Sequence, residues 1–194
     1  SLVHAIQWAI GLEWYLLMQD PWRIAMSTDH PNGSSFRAYP EIIALLMSRD
    51  RRREMLARVP GGLKERTTLA ALDREYTLNE IAIITRASPA RMLGLKNKGH
   101  LGIGADADVT IYQPNEDYQR MFELPRYVIR RGEIVVEDGE IRSNAEGRLL
   151  HVAPKYDDGA IDNIREWFEK NYTIQFRNYP VDENTLHERE VIGS

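Results

Sequence analysis

The stretch "SPARMLGLKNKGHLGIGADADVTIY", residues 88–112, decides how the chain is read. Ser88, Pro89 and Gly94 are placed as cap, first-turn proline and stop of a short helix, "SPARMLGL". After residue 98 the apolar period falls to two. Asp108 to Tyr112 is rich in β-branched residues, so a strand is expected there. Helical chain therefore lies upstream of this stretch and sheet downstream.

Downstream, "YVIRRGEIVVEDGEI" (residues 127–141) alternates around two turns, Arg131-Gly132 and Asp138-Gly139, and predicts a small antiparallel sheet. A helix from about Gly159 to Asn171 follows, with Ile161, Ile164, Trp167 and Phe168 on one stripe. A strand from Tyr172 to Phe176 comes next, and the last dozen residues are expected to be polar and loose.

Upstream, residues 2–18 carry apolar side chains around nearly the whole helical circumference, including Val3, Ile10, Trp14 and Leu17. Such a helix needs burial on most sides. Asp20-Pro21 ends it. A strand is expected from Trp22 to Thr28, then a loop, a long helix from about Pro40 to Val59, and a second from about Lys64 to Glu75. Thr77 and Glu80 have capping-box spacing and open a third.

Composition narrows the function classes. The 194 residues are 43% hydrophobic, enough for a core, and the net charge of −4 comes from interspersed acids and bases. No basic face for nucleic acid is implied. The basic run "RDRRRE", Arg49 to Glu54, is expected to be a solvated helix face. Without cysteine there is neither a disulfide framework nor a thiolate zinc site, and a reducing cytoplasm fits. No run of about 18 apolar residues predicts a membrane span. The chain opens directly on an apolar helix, without Met or a basic leader, and is expected to be part of a longer polypeptide.

One acid stands out. In "RIAMSTDHPNG", residues 23–33, a short apolar run is cut off by Asp29-His30 and then by Pro31-Asn32-Gly33. An acid at the carboxyl end of a buried strand occupies the position where (β/α) barrels gather catalytic groups. Asp29 could ligate a metal, or take a proton from a metal-bound water; equally, it could cap the turn that follows. Adjacent strand residues face opposite ways, so His30 is expected to point away from Asp29 and pack, with a ligand role as the alternative. Asn32 and Gly33 supply a tight loop whose backbone could approach a substrate. His4 is expected to be a core histidine, while His100, His151 and His187 fall in turns or the tail, and no pair has metal-ligand spacing.

The stretch at 88–112 resembles the segment with which metal-dependent amidohydrolases leave their barrel and enter a small β-sandwich, in the pattern S-P-A-R-x-L-G-L followed by K-G-x-I-x-x-G-x-D-A-D. "SLVHAIQWAIGLE", "STDHPNG" and "FEKNYTIQFRNYPV" are similar to the group containing the A-type subunits of formylmethanofuran dehydrogenases and the alpha subunits of formyltransferase/hydrolase complexes. The group has a second glycine after the loop glycine; here Ser34 stands in its place.

The resemblance implies an α/β fold with a β-sandwich. Residues 1–98 would be the last strand and helices of a (β/α)8 barrel, 99–155 a segment of the composite β-sandwich, and 156–194 a C-terminal helix, strand and tail. It implies a binuclear zinc site held by residues of earlier strands, with Asp29 as the acid over the metals. His30, Asn32 and Gly33 would contact substrate. The reaction implied is formation or hydrolysis of the formyl amide of formylmethanofuran. Implied partners are the rest of the catalytic subunit, further subunits of such a complex, and a methanofuran-type substrate. Two other readings stay open: an interaction module completing a barrel with a partner chain, and another amidohydrolase such as a hydantoinase or deacylase relative.

Overall fold

Helix α1 spans Leu2–Leu17, and the Ser1 hydroxyl accepts the His4 amide at its start. The computed structural model describes residues 1–59, 61–144, 146–179 and 189–193. They divide into two compact units, residues 1–92 with 96–145, and residues 93–95 with 146–194.

In the first unit α1 buries one face only, Ala9, Leu12 and Leu16, while Val3, Ile10, Trp14 and Leu17 stay exposed among the described residues. His4 is exposed and not in the core, because it lies roughly 140° around the helix from Ala9. The turn Pro21–Arg23 takes the first two residues of the expected strand. Residues 24–28 keep a strand's alternation, with Met26 and Thr28 buried and Ser27 exposed, but pair with no strand among the described residues. Side chains and one helix carbonyl satisfy this backbone instead. The Met26 amide donates to Ile84 O at 2.8 Å, and the hydroxyls of Tyr15, Tyr39 and Ser88 donate to the carbonyls of Ala25, Met26 and Trp22.

The expected helix from Pro40 to Val59 is two helices, α2 Tyr39–Met47 and α3 Arg49–Arg58. Ser48, extended at φ −135° and ψ 114°, separates them, its hydroxyl capping α3 through the Arg51 amide. A serine that bonds nearby backbone competes with helix continuation in this way. The basic run is not wholly solvated, because Arg52 is 0% exposed. Its guanidinium donates to the carbonyls of Leu45, Leu46, Leu72 and Arg74 at 2.7–3.4 Å.

That same network removes the helix expected over Lys64 to Glu75. Two short turns stand there, Gly61–Leu63 and Leu69–Ala71. Thr67 and Thr68 are drawn to Glu13, and the carbonyls of Leu72 and Arg74 are taken by Arg52. Burial would raise the Glu13 carboxyl, but the Thr68 amide and the two hydroxyls outweigh it and hold the group below its ordinary value.

The capping box at Thr77 and Glu80 forms and opens α4 Leu78–Ala82. The helix then widens through a π turn, Ile83–Ala87, into α5 Ser88–Met92. Ser88 is therefore not an N-cap: it is helical, buried, and spends its hydroxyl on Trp22. The wide turn accommodates Pro89, which would otherwise meet the carbonyl four residues back. Past Gly94, Gly99 sits at φ +77° where a Cβ would lie 2.7 Å from Ala90 Cβ and 2.8 Å from Arg86 O, so no larger residue fits.

The antiparallel sheet is as expected, in the order β1 Val109–Ile111, β2 Tyr127–Arg130, β3 Glu133–Glu137 and β4 Glu140–Ile141. Both turns carry two residues at positive φ, Arg131-Gly132 and Asp138-Gly139, as tight hairpins require. Lys98 clamps the approach to β1 by bonding Asp106 at 2.8 Å and Asp108 at 2.6 Å. A short helix that the sequence did not signal, α6 Tyr118–Glu123, packs Phe122 against Tyr112.

The second unit pairs β5 Leu149–Ala153 in parallel with β6 Arg189–Gly193. His151 is thus a strand residue opposite Val191, and residues 189–193 are not loose. His187 lies outside the described residues. Helix α7, Ala160–Asn171, forms as expected. The strand expected at Tyr172 to Phe176 does not, because Tyr172, Phe176 and Tyr179 fold back onto Phe168 with ring centroids 4.8–5.8 Å apart.

Candidate functional site

Residues 27–36 leave the anchored extended segment and return at α2. Asp29 adopts φ +50°, a left-handed conformation that aspartate tolerates better than most residues. Its amide donates to Ser27 Oγ at 3.2 Å and its carbonyl accepts the Gly33 amide at 2.8 Å. Gly33 packs so tightly that an added Cβ would lie 2.8 Å from Thr28 O, 3.0 Å from Asp29 Cβ and 3.4 Å from Asp29 Oδ2. The carboxylate of Asp29 is exposed and its backbone is fixed.

The other residues singled out in the loop behave differently. His30 is exposed and sets its ring edge-on against Phe36 at 4.9 Å. The His30–Pro31 peptide is cis. Asn32 and Gly33 are exposed at the tip. Asp29 and Gly33 are thus brought together, while the His30 ring is engaged with Phe36.

Beside the loop lies a cavity of about 780 Å³, reached past Phe36 and lined by Arg37, Tyr39, Thr85, Arg86 and Tyr112 among others. Two guanidiniums and one carboxylate, Glu123, face it. Sequence reasoning passed over Arg37 and Arg86. Arg37 stands only four residues beyond Gly33, which was a usable signal, but Arg86 is brought to the cavity by a π turn that no periodicity announced.

No group of three or more His, Asp or Glu side chains gathers among the described residues. The residues here do not by themselves fit a binuclear metal centre, which needs several ligands on each ion. No helix among the described residues is long and apolar enough to cross a membrane.

Comparison with known proteins adds a decisive observation: residues 2–136 match the family described as Amidohydrolase family. The chain belongs to the amidohydrolase family. Within that family it is similar to FhcA of the formyltransferase/hydrolase complex Fhc of Methylorubrum extorquens, 38% identical over 96% of this chain and 34% of the relative. It is equally similar to Protein FwdA of Methanocaldococcus jannaschii, 38% identical over 98% of this chain and 35% of the relative. Among solved structures it superposes with a TM-score of 0.81 and 36% identity on one polypeptide of the Methylorubrum extorquens formyltransferase/hydrolase complex (FhcABCD), determined in complex with methylofuran. That match covers 100% of this chain and 36% of the other. This amidohydrolase-family chain therefore spans about a third of the length of the curated relatives it matches.

Proposed function

We propose that this chain is the C-terminal portion of a zinc-dependent amidohydrolase subunit that forms or hydrolyses the formyl amide of formylmethanofuran. The observation that carries the reading is the similarity over 96% of the chain to FhcA, which includes the loop bearing Asp29. Residues 1–98 would close a (β/α)8 barrel, 99–155 would belong to a composite β-sandwich, and 156–194 would end the subunit. The partners are the rest of the catalytic subunit, the other subunits of a C1-metabolism complex and a methanofuran-type substrate. A cytoplasmic setting goes with this reading.

In this reading Asp29 holds and moves the proton exchanged between water and the amine nitrogen of the formyl amide. Its exposed carboxylate and fixed backbone suit that task, since a general acid/base must be reachable and correctly aimed. His30, Asn32 and Gly33 line the approach. The zinc ligands would come from outside this chain, so no step is assigned to metal here.

The test is Asp29→Asn in the full-length subunit. Asparagine tolerates the left-handed conformation as well as aspartate, so the fold is retained, and turnover falls by about two to four orders of magnitude. Near-normal turnover would return Asp29 to the role of a turn residue. A second reading, an interaction module that completes a barrel with a partner chain, is favoured by the exposed α1 stripe of Val3, Ile10, Trp14 and Leu17. Both readings need a covering element on that stripe; only the first requires Asp29 for turnover.

A further inference from the structure

Gly33 is the residue on which the geometry of Asp29 turns. Its demand is for space, since an added Cβ would meet the backbone oxygen of Thr28 at 2.8 Å and Asp29 Cβ at 3.0 Å. Thr28 cannot move aside cheaply: it is 8% exposed, and the chain leading into it is tied down at Ala25 by Tyr15 and at Met26 by Tyr39 and Ile84. On the other flank the Gly33 amide closes the turn onto Asp29 O at 2.8 Å, while Ser27 Oγ holds the Asp29 amide at 3.2 Å. The left-handed backbone of Asp29 is thus maintained between a hydroxyl before it and a glycine after it.

We infer that Gly33 is a positioning residue: its backbone, seated without a Cβ against Thr28 and Asp29, sets the direction of the Asp29 carboxylate. This rests on the reading of Asp29 as the proton-handling group. A side chain at position 33 must push either the Thr28 carbonyl or the Asp29 Cβ by several tenths of an ångström, and the carboxylate beyond them moves further.

The experiment is a double-mutant cycle in the full-length subunit, following formylmethanofuran hydrolysis, with Gly33→Ala, Asp29→Asn and the two combined. Gly33→Ala is expected to lower kcat by about 10- to 100-fold, the scale of a misaimed catalytic group, with KM within about twofold of wild type. The acid limb of its kcat–pH profile shifts, because the carboxylate titrates in a new setting. The double variant is no slower than Asp29→Asn alone, as for residues acting through one group. Gly61→Ala, where a Cβ meets open space, is the control and keeps wild-type kcat.

A kcat for Gly33→Ala within twofold of wild type overturns the inference, as does full additivity in the double variant with an unmoved acid limb. Should Gly33→Ala not fold, Ser27→Ala enters the same cycle, removing only the hydroxyl that holds the Asp29 amide; additivity there also overturns it. If Asp29→Asn itself keeps near-normal turnover, the catalytic reading fails. If Asp29→Asn is impaired and the cycle is additive, only the positioning role fails.

Discussion

The hydroxyl of Tyr39 donates to the carbonyl oxygen of Met26 at 3.3 Å, three residues before Asp29. A side chain at the start of α2 thereby does for residues 24–28 what a neighbouring strand does elsewhere, satisfying a buried backbone acceptor.

Tyr39→Phe is expected to destabilise the protein by about 0.5–1.5 kcal/mol, the net worth of one part-buried hydrogen bond. Turnover should fall a few-fold as the segment carrying Asp29 loosens. Urea titration of the variant, paired with kcat, checks both; unchanged stability would show that water replaces the phenol without loss.

Arg52 gives a larger effect. Arg52→Met deprives four carbonyls of their donor, each buried unsatisfied group costing about 1–3 kcal/mol before relaxation. The thermal midpoint should drop by several degrees, and Arg52→Lys should recover little, since one ammonium cannot reach both α2 and the 72–74 segment. Full recovery by lysine would mean that charge, and not the forked geometry, matters.

The Lys98 clamp sets a pH window for the turn before β1. Asp108 is held below its ordinary value, first by the Lys98 hydrogen bond, which outweighs burial, so its contribution is present above the unfolded carboxyl value of about 3.9 and is lost as pH falls through the lower folded value. Lys98 is raised by its bonds to Asp106 and Asp108, so its contribution is present below about 10.4 and is lost as pH rises through the higher folded value. Amide exchange over residues 98–108 should be slowest, relative to intrinsic rates, between those limits. Lys98→Met should abolish that dependence.

Metal content distinguishes a complete site from a contributed residue. The isolated 194-residue chain should hold zinc only substoichiometrically after dialysis, because no three suitable ligands gather among its described residues. Plasma emission analysis finding two tightly bound zinc ions per chain would refute the expectation.

Several features were written locally. The capping box at Thr77 and Glu80, the glycine turns at 132 and 139, and α7 each depend on neighbours within a few residues, and each was read correctly. The failures share one cause, a distant partner. The helix expected at 64–75 lost to Glu13 and Arg52, the strand at 172–176 to Phe168, and β6 exists only because β5 lies beside it. The site shows the same division, since the STDHPNG loop was visible as a strand end aimed at chemistry, whereas Arg86 reached the adjacent cavity through a π turn.

By itself the sequence determined the switch from helical chain to an antiparallel sheet near residue 98, the hairpins and the loop bearing Asp29, because turns, caps and periodicity are short-range properties of the chain. Tertiary structure alone decided that Ser88 runs inside a helix, that Arg52 is buried under four carbonyls, and that Gly33 must be bare of a side chain beside Asp29. Those outcomes depend on atoms brought together across the fold, and packing at that range leaves no period in the sequence.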